Sequence, residues 1–174
     1  PEFFIFIDRD SWPLFSALKT PIELNLLTTK LGNNQQLAGI KHCNRLEQVM
    51  IACELKEKQW SDGIVTDQHG KVVESSKGNL FWYADGQWYT PPIDDAGIEG
   101  VSKAFVINKL EASGDGVFDN KKIIHKCVDF EELVKHAEAM FICNAIQGIT
   151  PVDKLSKRAL SIAPVAALHE KVFN

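Results

Sequence analysis

Three separate stretches of the chain carry residue types that could act together in chemistry. The first, at 37–49, places Lys41 at a predicted junction between a strand and a helix, where a side chain can point into a cleft. The second places Glu74 near the end of a predicted strand, and the third, at 95–102, leads through glycines into a helix that begins at Ser102. A lysine amine whose pKa is lowered by burial can attack an aldehyde. A lone lysine is usually a solvated surface residue, so this chemistry requires the other two stretches.

Together the three stretches match the needs of one coenzyme, pyridoxal phosphate. Its aldehyde needs a lysine, and its pyridine nitrogen needs a carboxylate that keeps the ring protonated and electron-withdrawing. Its phosphate is best bound by backbone amides at a helix N-terminus, where the helix dipole favours an anion. Lys41, Glu74 and the helix start at 100–102 can meet these needs in turn. Taken singly, Glu74 is typical of a surface carboxylate and 100–102 of ordinary helix capping.

The lysine stretch, Lys-His-Cys-Asn-Arg-Leu-Glu-Gln-Val at 41–49, resembles a motif of the class IV (branched-chain-type) pyridoxal-phosphate aminotransferase family. That family includes branched-chain aminotransferases, D-amino acid aminotransferases and aminodeoxychorismate lyases, and this motif is similar to that of the lyases. Two later stretches add to the resemblance, Asn-Leu-Phe-Trp at 79–82 and Ile-Cys-Asn-Ala at 142–145. The resemblance extends from about Phe3 to Val152.

The resemblance implies roles for individual residues. Lys41 would hold the coenzyme covalently and afterwards move the proton, as catalytic residue and coenzyme ligand in one. Glu74 would pair with the pyridine nitrogen. The backbone amides of Val101 and Ser102 would bind the phosphate.

Further residues receive weaker assignments from the same resemblance. Asn144 and Ala145 would add contacts to the coenzyme, by the main chain alone at Ala145, where aminotransferases often carry a hydroxyl. Asn79 would support the ring or a loop. Apart from the resemblance, the position of His42 and Arg45 beside the lysine would let them contact substrate carboxylates, or they could simply lie at the start of a helix, and the sequence leaves both possibilities open.

The activity implied by the resemblance is conversion of 4-amino-4-deoxychorismate to 4-aminobenzoate and pyruvate in folate synthesis, by a homodimer. Two alternatives stay open. The first is an aminotransferase of the branched-chain or D-amino acid type, which keeps the coenzyme and exchanges amino groups between acids. The second is a domain that keeps the fold but is catalytically incomplete as it stands.

The sequence predicts an α/β fold, and the resemblance implies a mixed sheet or pseudo-barrel with flanking helices, the large C-terminal domain of the D-amino acid aminotransferase-like fold. The apolar run Phe3–Ile7 is typical of a buried central strand, which needs neighbours on both sides. We therefore expect residues 1–8 to be the last strand of a missing N-terminal domain. Residues 9–20 would be a connector, and 21–174 the coenzyme-binding domain.

Hydrophobic periodicity and turn residues predict the individual elements. A helix over 44–58 would bury Leu46, Val49, Met50, Cys53 and Leu55, and a helix over 130–136 would be capped by Asp129 in a capping box with Glu132. The remaining predicted helices cover 102–113 and 162–172. Strands are predicted at 22–30, 62–66, 72–74, 80–83, 87–89, 122–126, 139–143 and 148–152.

Charge and cysteine content narrow the classes of function. The 174 residues carry a net charge of −4, which gives no electrostatic reason to expect a nucleic acid or membrane partner. The four cysteines include no Cys-x-x-Cys pair, so a metal site is poorly supported. Four reduced thiols in a cytoplasmic protein are the better interpretation.

Overall fold

The structure, a computed structural model, describes residues 15–112 and 122–173. The strands in these ranges are β1 (Ile22–Leu24), β2 (Ile64–Thr66), β3 (Val72–Ser75), β4 (Asn79–Ala84), β5 (Gln87–Thr90), β6 (Ile124–His125), β7 (Ala139–Asn144), β8 (Gly148–Leu155) and β9 (Arg158–Ala159). The helices are α1 (Leu46–Lys58), α2 (Val101–Ala112), α3 (Phe130–His136) and α4 (Ala163–Phe173). Of these helices, none combines the length and the apolar character that crossing a bilayer requires.

The strands form one large mixed sheet and one separate hairpin. The large sheet has the order β1-β8-β7-β4-β5-β6, with β9 beside β8, while β2 pairs with β3. The β1–β8 and β5–β6 pairs are parallel and the other pairs are antiparallel. The predicted α/β fold with a mixed sheet is thus confirmed.

The central strands β4 and β7 are buried on both faces, which explains their unbroken apolar sequences. On one face Phe81 and Phe141 stack with ring centroids 4.7 Å apart and pack against α2 and α4. On the other face Leu80 and Ile142 join a second cluster, which includes Leu133 of α3. This two-sided core holds the carboxyl end of β7 and the start of β4 at the same edge of the sheet.

A third cluster fixes α1 and the β2–β3 hairpin beside the sheet. Ile51 and Leu55 are the buried residues of α1, and they pack with Leu27, Val65 and Val73. The predicted inward face of α1 was therefore wrong except at Leu55. Its other members are exposed: Leu46, Val49, Met50 and Cys53.

Two carboxylates explain why α1 is rotated in this way. Glu47 accepts a hydrogen bond from the Gly32 amide at 2.8 Å, and Glu54 accepts from the amides of Thr28 and Thr29 at 2.6 and 2.8 Å. These bonds turn a polar side of the helix toward the loop at 28–32. Apolar periodicity alone could not reveal this, because the partners are backbone amides distant in sequence.

The predicted strand at 22–30 is much shorter than expected, because the chain changes its partner. After β1 leaves β8, the amides of Leu27 and Leu31 donate to the carbonyls of Ile64 and Thr66, both at 2.9 Å. The predicted strand at 122–126 is likewise reduced to β6. The predicted strand at Phe3–Ile7 lies outside the described residues.

The two helices that follow β6 agree well with prediction. Asp129 caps α3, since its side chain accepts a hydrogen bond from the Glu132 amide at 2.9 Å. The return half of the predicted capping box is replaced by an ion pair between Glu132 and Lys126 at 2.8 Å. In α4 the proline, Pro164, lies in the first turn, where its missing amide costs nothing.

Candidate active site

One cavity of about 550 Å³ brings all six predicted site residues together. It lies where the segment before α1, the end of β3, the start of β4, the N-terminus of α2 and the β7–β8 turn meet. Its volume is within the range of ligand pockets in proteins. The predicted residues that line it are Lys41, Glu74, Val101, Ser102, Asn144 and Ala145.

The backbone of the loop at 97–100, which we call the central loop, connects the lysine segment to the buried carboxylate. The Gly39 amide donates to the Gly97 carbonyl at 3.0 Å, and the Glu99 amide donates back to the Gly39 carbonyl at 3.1 Å. The Ile98 amide, between them, donates to Glu74 Oε2 at 3.0 Å. The path of the chain just before Lys41 is therefore set relative to Glu74.

Asn79 holds the other end of the central loop, which is the loop-supporting role that the sequence analysis gave as one of its two possibilities. Its Nδ2 donates to the Ile98 carbonyl at 2.8 Å, and its Oδ1 accepts from the Gly100 amide at 3.1 Å. A Cβ on Gly100 would lie only 2.3 Å from that Oδ1, so only glycine fits there. Asn79 thereby fixes the point where α2 begins. The sequence feature that indicates such a role is a polar residue at the start of an otherwise apolar strand.

Glu74 is a buried carboxylate with one oxygen available for a further hydrogen bond. The residue is 8% exposed, and Oε1 accepts no hydrogen bond from the described part of the chain. Burial raises the pKa of Glu74 to about 7, against the opposing effects of the Ile98 amide and the charges of Arg45, Lys41 and Lys103. A cationic N–H that met Oε1 would offset this burial and favour the charged carboxylate.

Lys41 is exposed, contrary to the buried lysine that the sequence analysis expected. Its ammonium makes no hydrogen bond or ion pair with the described residues, although its charge is close enough to lower the pKa of Glu74. Lys41 lies in the segment before α1, where it lines the cavity, and it is not part of the buried cluster that holds α1. The Lys41 side chain is therefore free to change position.

The N-terminus of α2 presents unused hydrogen-bond donors to the cavity. The first amides of a helix have no partner inside it, and here they belong to Val101 and its neighbours. Ser102 is 4% exposed, yet its Oγ has no hydrogen-bond partner in the structure. Behind them the fully buried Lys103 pairs with Glu99 at 3.0 Å and adds a positive charge.

The β7–β8 turn supplies Asn144 and Ala145 to the cavity rim. Asn144 Oδ1 accepts from the amides of Ile146 and Gln147 at 3.0 and 2.8 Å, so this side chain shapes the turn. Gly78 packs against the same region, since a Cβ there would lie 2.4 Å from the Cys143 carbonyl oxygen. Close backbone packing thus holds this turn against the start of β4.

Asp62, a residue that the sequence analysis did not single out, anchors the turn at 75–78 that follows Glu74. This buried carboxylate accepts hydrogen bonds from the Gly63 amide at 2.7 Å, the Ser76 amide at 3.0 Å and the Ser75 hydroxyl at 3.1 Å. Four donors in all satisfy it, with the Ser76 hydroxyl as the fourth. The serines after Glu74 are therefore structural, and they are not nucleophiles.

These residues fit pyridoxal phosphate. Lys41 could bind the aldehyde at the cavity mouth, and the open Oε1 of Glu74 could accept a hydrogen bond from the ring nitrogen. The orphaned Ser102 hydroxyl and the free amides at the start of α2 suit a phosphate dianion. Because Asn79 lies so close to Gly100, that position has to be a glycine, and no side chain blocks a phosphate from reaching the start of α2.

Comparison with known proteins gives the family. The amino-transferase class IV family model matches residues 1–155, and the chain belongs to that family. Aminodeoxychorismate lyase from Vibrio harveyi is 30% identical over 135 residues, which cover 78% of this chain and 47% of that protein.

Solved structures agree with this result. The 4-amino-4-deoxychorismate lyase from Pseudomonas aeruginosa aligns with a TM-score of 0.76 and 31% identity over 87% of this chain and 54% of that one. An aminotransferase from Brucella abortus bound to the co-factor PLP shares the fold, with a TM-score of 0.70 and 18% identity over 88% of this chain and 53% of that one. The chain thus spans about half the length of these relatives.

We predict that Asn79→Ala weakens coenzyme binding because Asn79 holds the start of α2 at the cavity wall. The change removes two hydrogen bonds that fix the start of α2, so the dissociation constant for pyridoxal phosphate should rise by about 5- to 100-fold. Titration of the coenzyme-free protein with pyridoxal phosphate, followed by absorbance, measures this dissociation constant. Asn108→Ala, on the exposed face of α2, is the control. Equal affinities for the two variants would contradict the assigned role.

The raised pKa of Glu74 predicts a pH dependence of stability in the coenzyme-free protein. Because folding raises this pKa from 4.5 to about 7, the folded state binds the proton more tightly. The resulting stabilisation is fully present below the unfolded pKa and is lost as the pH rises through the folded one. The Glu74→Gln variant cannot titrate at this position. Its free energy of unfolding relative to that of wild type should therefore rise by on the order of 3 kcal/mol as the pH rises from the unfolded pKa to above the folded one.

Urea denaturation at several pH values tests this prediction. The exposed Glu57→Gln variant should run parallel to wild type throughout. A Glu74→Gln curve that also runs parallel to wild type would show that Glu74 is not protonated on folding.

Proposed function

We propose that this chain is the coenzyme-carrying part of a pyridoxal-phosphate-dependent lyase that converts 4-amino-4-deoxychorismate to 4-aminobenzoate and pyruvate, a step of folate synthesis. The observation that carries the proposal is the meeting of Lys41, Glu74 and the open N-terminus of α2 in one cavity. The lysine motif at 41–48 and the two lyases described above favour this activity within the family.

In this proposal each part of the cavity has one task. When bound, pyridoxal phosphate supplies an aldehyde that joins the substrate amine and a ring that withdraws electrons from the adjacent carbon. Val101 and Ser102 would hold its phosphate through their amides and the Ser102 hydroxyl. Glu74 would hold the pyridine nitrogen in its protonated form through Oε1.

Lys41 then acts as the proton carrier. With the substrate bound, the Lys41 amine would take the proton from the amine-bearing carbon of the substrate. The neighbouring carbon–oxygen bond breaks, and its electron pair leaves with enolpyruvate, which takes up a proton to become pyruvate. Loss of the proton and of this group makes the ring aromatic, which drives the step. The exposure of Lys41 gives its amine the freedom that both tasks need.

Aminotransferase activity of the branched-chain or D-amino acid type is the alternative that the family keeps open. It would use the same Lys41 and Glu74, but the amino group would remain on the coenzyme. A chain that keeps the fold without turnover is a second alternative. It is disfavoured because Lys41, Glu74 and the orphaned Ser102 hydroxyl all face one cavity.

Product analysis separates these readings. The protein that contains this chain, supplied with aminodeoxychorismate, should release 4-aminobenzoate and pyruvate in equal amounts without an α-keto acid. Lys41→Ala should lose essentially all turnover and keep its thermal stability, because the exposed side chain contributes little to packing. Lys30→Ala, at another exposed lysine, should keep full activity. Coenzyme amination that depends on an added α-keto acid, with no 4-aminobenzoate, would establish the aminotransferase.

We further propose that a domain outside the printed sequence and a second copy of the chain complete the active protein, which acts in the cytoplasm. The chain spans about half of its relatives, and apolar side chains are exposed beside the cavity at Val101 and Ile146 and along α1 at Val49 and Met50. Exposed apolar patches commonly mark interfaces. The four cysteines are free thiols, which suits a reducing compartment.

Light scattering of the complete protein tests the assembly. A mass of twice the polypeptide is expected, and a double change of Val49 and Met50 to lysine should shift the mass toward the monomer. A monomeric wild-type protein with full turnover would contradict the proposed dimer.

A further inference from the structure

Arg45 is a cation of the cavity wall whose side-chain hydrogen-bond donors have no partner among the described residues. It immediately precedes α1, four residues after Lys41, and it lines both the coenzyme cavity and a neighbouring cleft of about 420 Å³. The residue is half-buried, and within the described residues its guanidinium makes no hydrogen bond or ion pair. A guanidinium has five N–H donors in a fixed planar fork, which matches a carboxylate.

The other cations near the cavity are already engaged. Lys77 donates to the carbonyl oxygen of Ser61, and Lys103 is bound by Glu99 and by the carbonyl oxygen of Pro91. Lys41 is required for the coenzyme in the proposed function. Among the described residues that line the cavity, Arg45 is therefore the cation left to meet a negative charge that enters it.

Its position is fixed by the structure around it. The Arg45 carbonyl accepts the first backbone hydrogen bond of α1, from Val49 at 3.0 Å. The bonds of Glu47 and Glu54 to the loop at 28–32 hold the helix itself. Arg45 and Glu74 line the same cavity, and the charge of Arg45 is among those that lower the pKa of that carboxyl. The phosphate end, at α2, has its own donors.

We propose that Arg45 binds a carboxylate of the substrate and so selects a dicarboxylate such as aminodeoxychorismate. This inference rests on the proposed function. That substrate carries one carboxylate on its ring and one on the enolpyruvyl group, and a bidentate Arg–carboxylate pair would orient either of them. Orientation of the amine-bearing carbon toward Lys41 would follow from that contact.

Three variants of the complete, coenzyme-loaded protein test the proposal. Arg45→Gln should raise KM by about 10- to 100-fold, as expected for loss of a charged hydrogen-bond pair, with a much smaller change in kcat. Arg45→Lys keeps the charge without the fork and should fall between Arg45→Gln and wild type. Lys56→Gln removes an exposed cation of α1 that lines neither cavity and should behave as wild type. Coenzyme affinity and absorbance should be unchanged in all three.

Equilibrium binding of 4-aminobenzoate, measured by calorimetry, identifies the carboxylate and does not depend on turnover. Weaker binding to Arg45→Gln would assign the ring carboxylate. Unchanged binding together with a raised KM would assign the enolpyruvyl carboxylate.

A KM and a 4-aminobenzoate affinity both within threefold of wild type would overturn the proposal. A coenzyme affinity that falls as much as the substrate affinity would also overturn it, since Arg45 would then serve the coenzyme. A wild-type protein that makes no 4-aminobenzoate would refute the proposed function, and the binding measurement would still decide whether Arg45 receives a carboxylate.

Discussion

The site depends on the backbone hydrogen bonds of the central loop at 97–100. Gly39 pairs with this loop two residues before Lys41, Glu74 accepts the Ile98 amide, and Asn79 binds the loop on both sides of Glu99. Three segments far apart in sequence are thereby tied to one short stretch of main chain. The path of this loop sets where the lysine, the carboxylate and the helix start lie.

The two ionisable groups at the centre of the cavity sit in opposite environments, and each environment suits its task. Glu74 is buried, and its burial cost is relieved only when a cationic partner meets its open oxygen. Lys41 is exposed and unpaired within the described residues, so its amine can attack one carbon and later reach another. The proposed coenzyme chemistry requires both a fixed carboxylate, which Glu74 supplies, and an amine that can move, which Lys41 supplies.

Local patterns predicted the strands β4 and β7, the capped helix α3 and the three functional stretches, because each is specified by residues close together in sequence. The orientation of α1 was not predictable in this way. Its carboxylates at Glu47 and Glu54 reach backbone amides in another loop, so the apolar face named by periodicity is exposed. Asp62 was missed for the same reason, and the sequence did not decide between the two possible roles of Asn79, since the partners of both residues include main-chain groups brought near only by the fold. That Lys41, Glu74 and Ser102 would share one site was predicted from the family motif, because their spacing along the sequence does not indicate it.

The most direct test of this account is the site of coenzyme attachment. The complete protein, loaded with pyridoxal phosphate and reduced with borohydride, should carry the coenzyme on the peptide that contains Lys41, and Lys41→Ala should carry no label after the same treatment. A label on Lys77 or Lys103 in the wild-type protein would contradict the account, because the central loop would then position the wrong lysine.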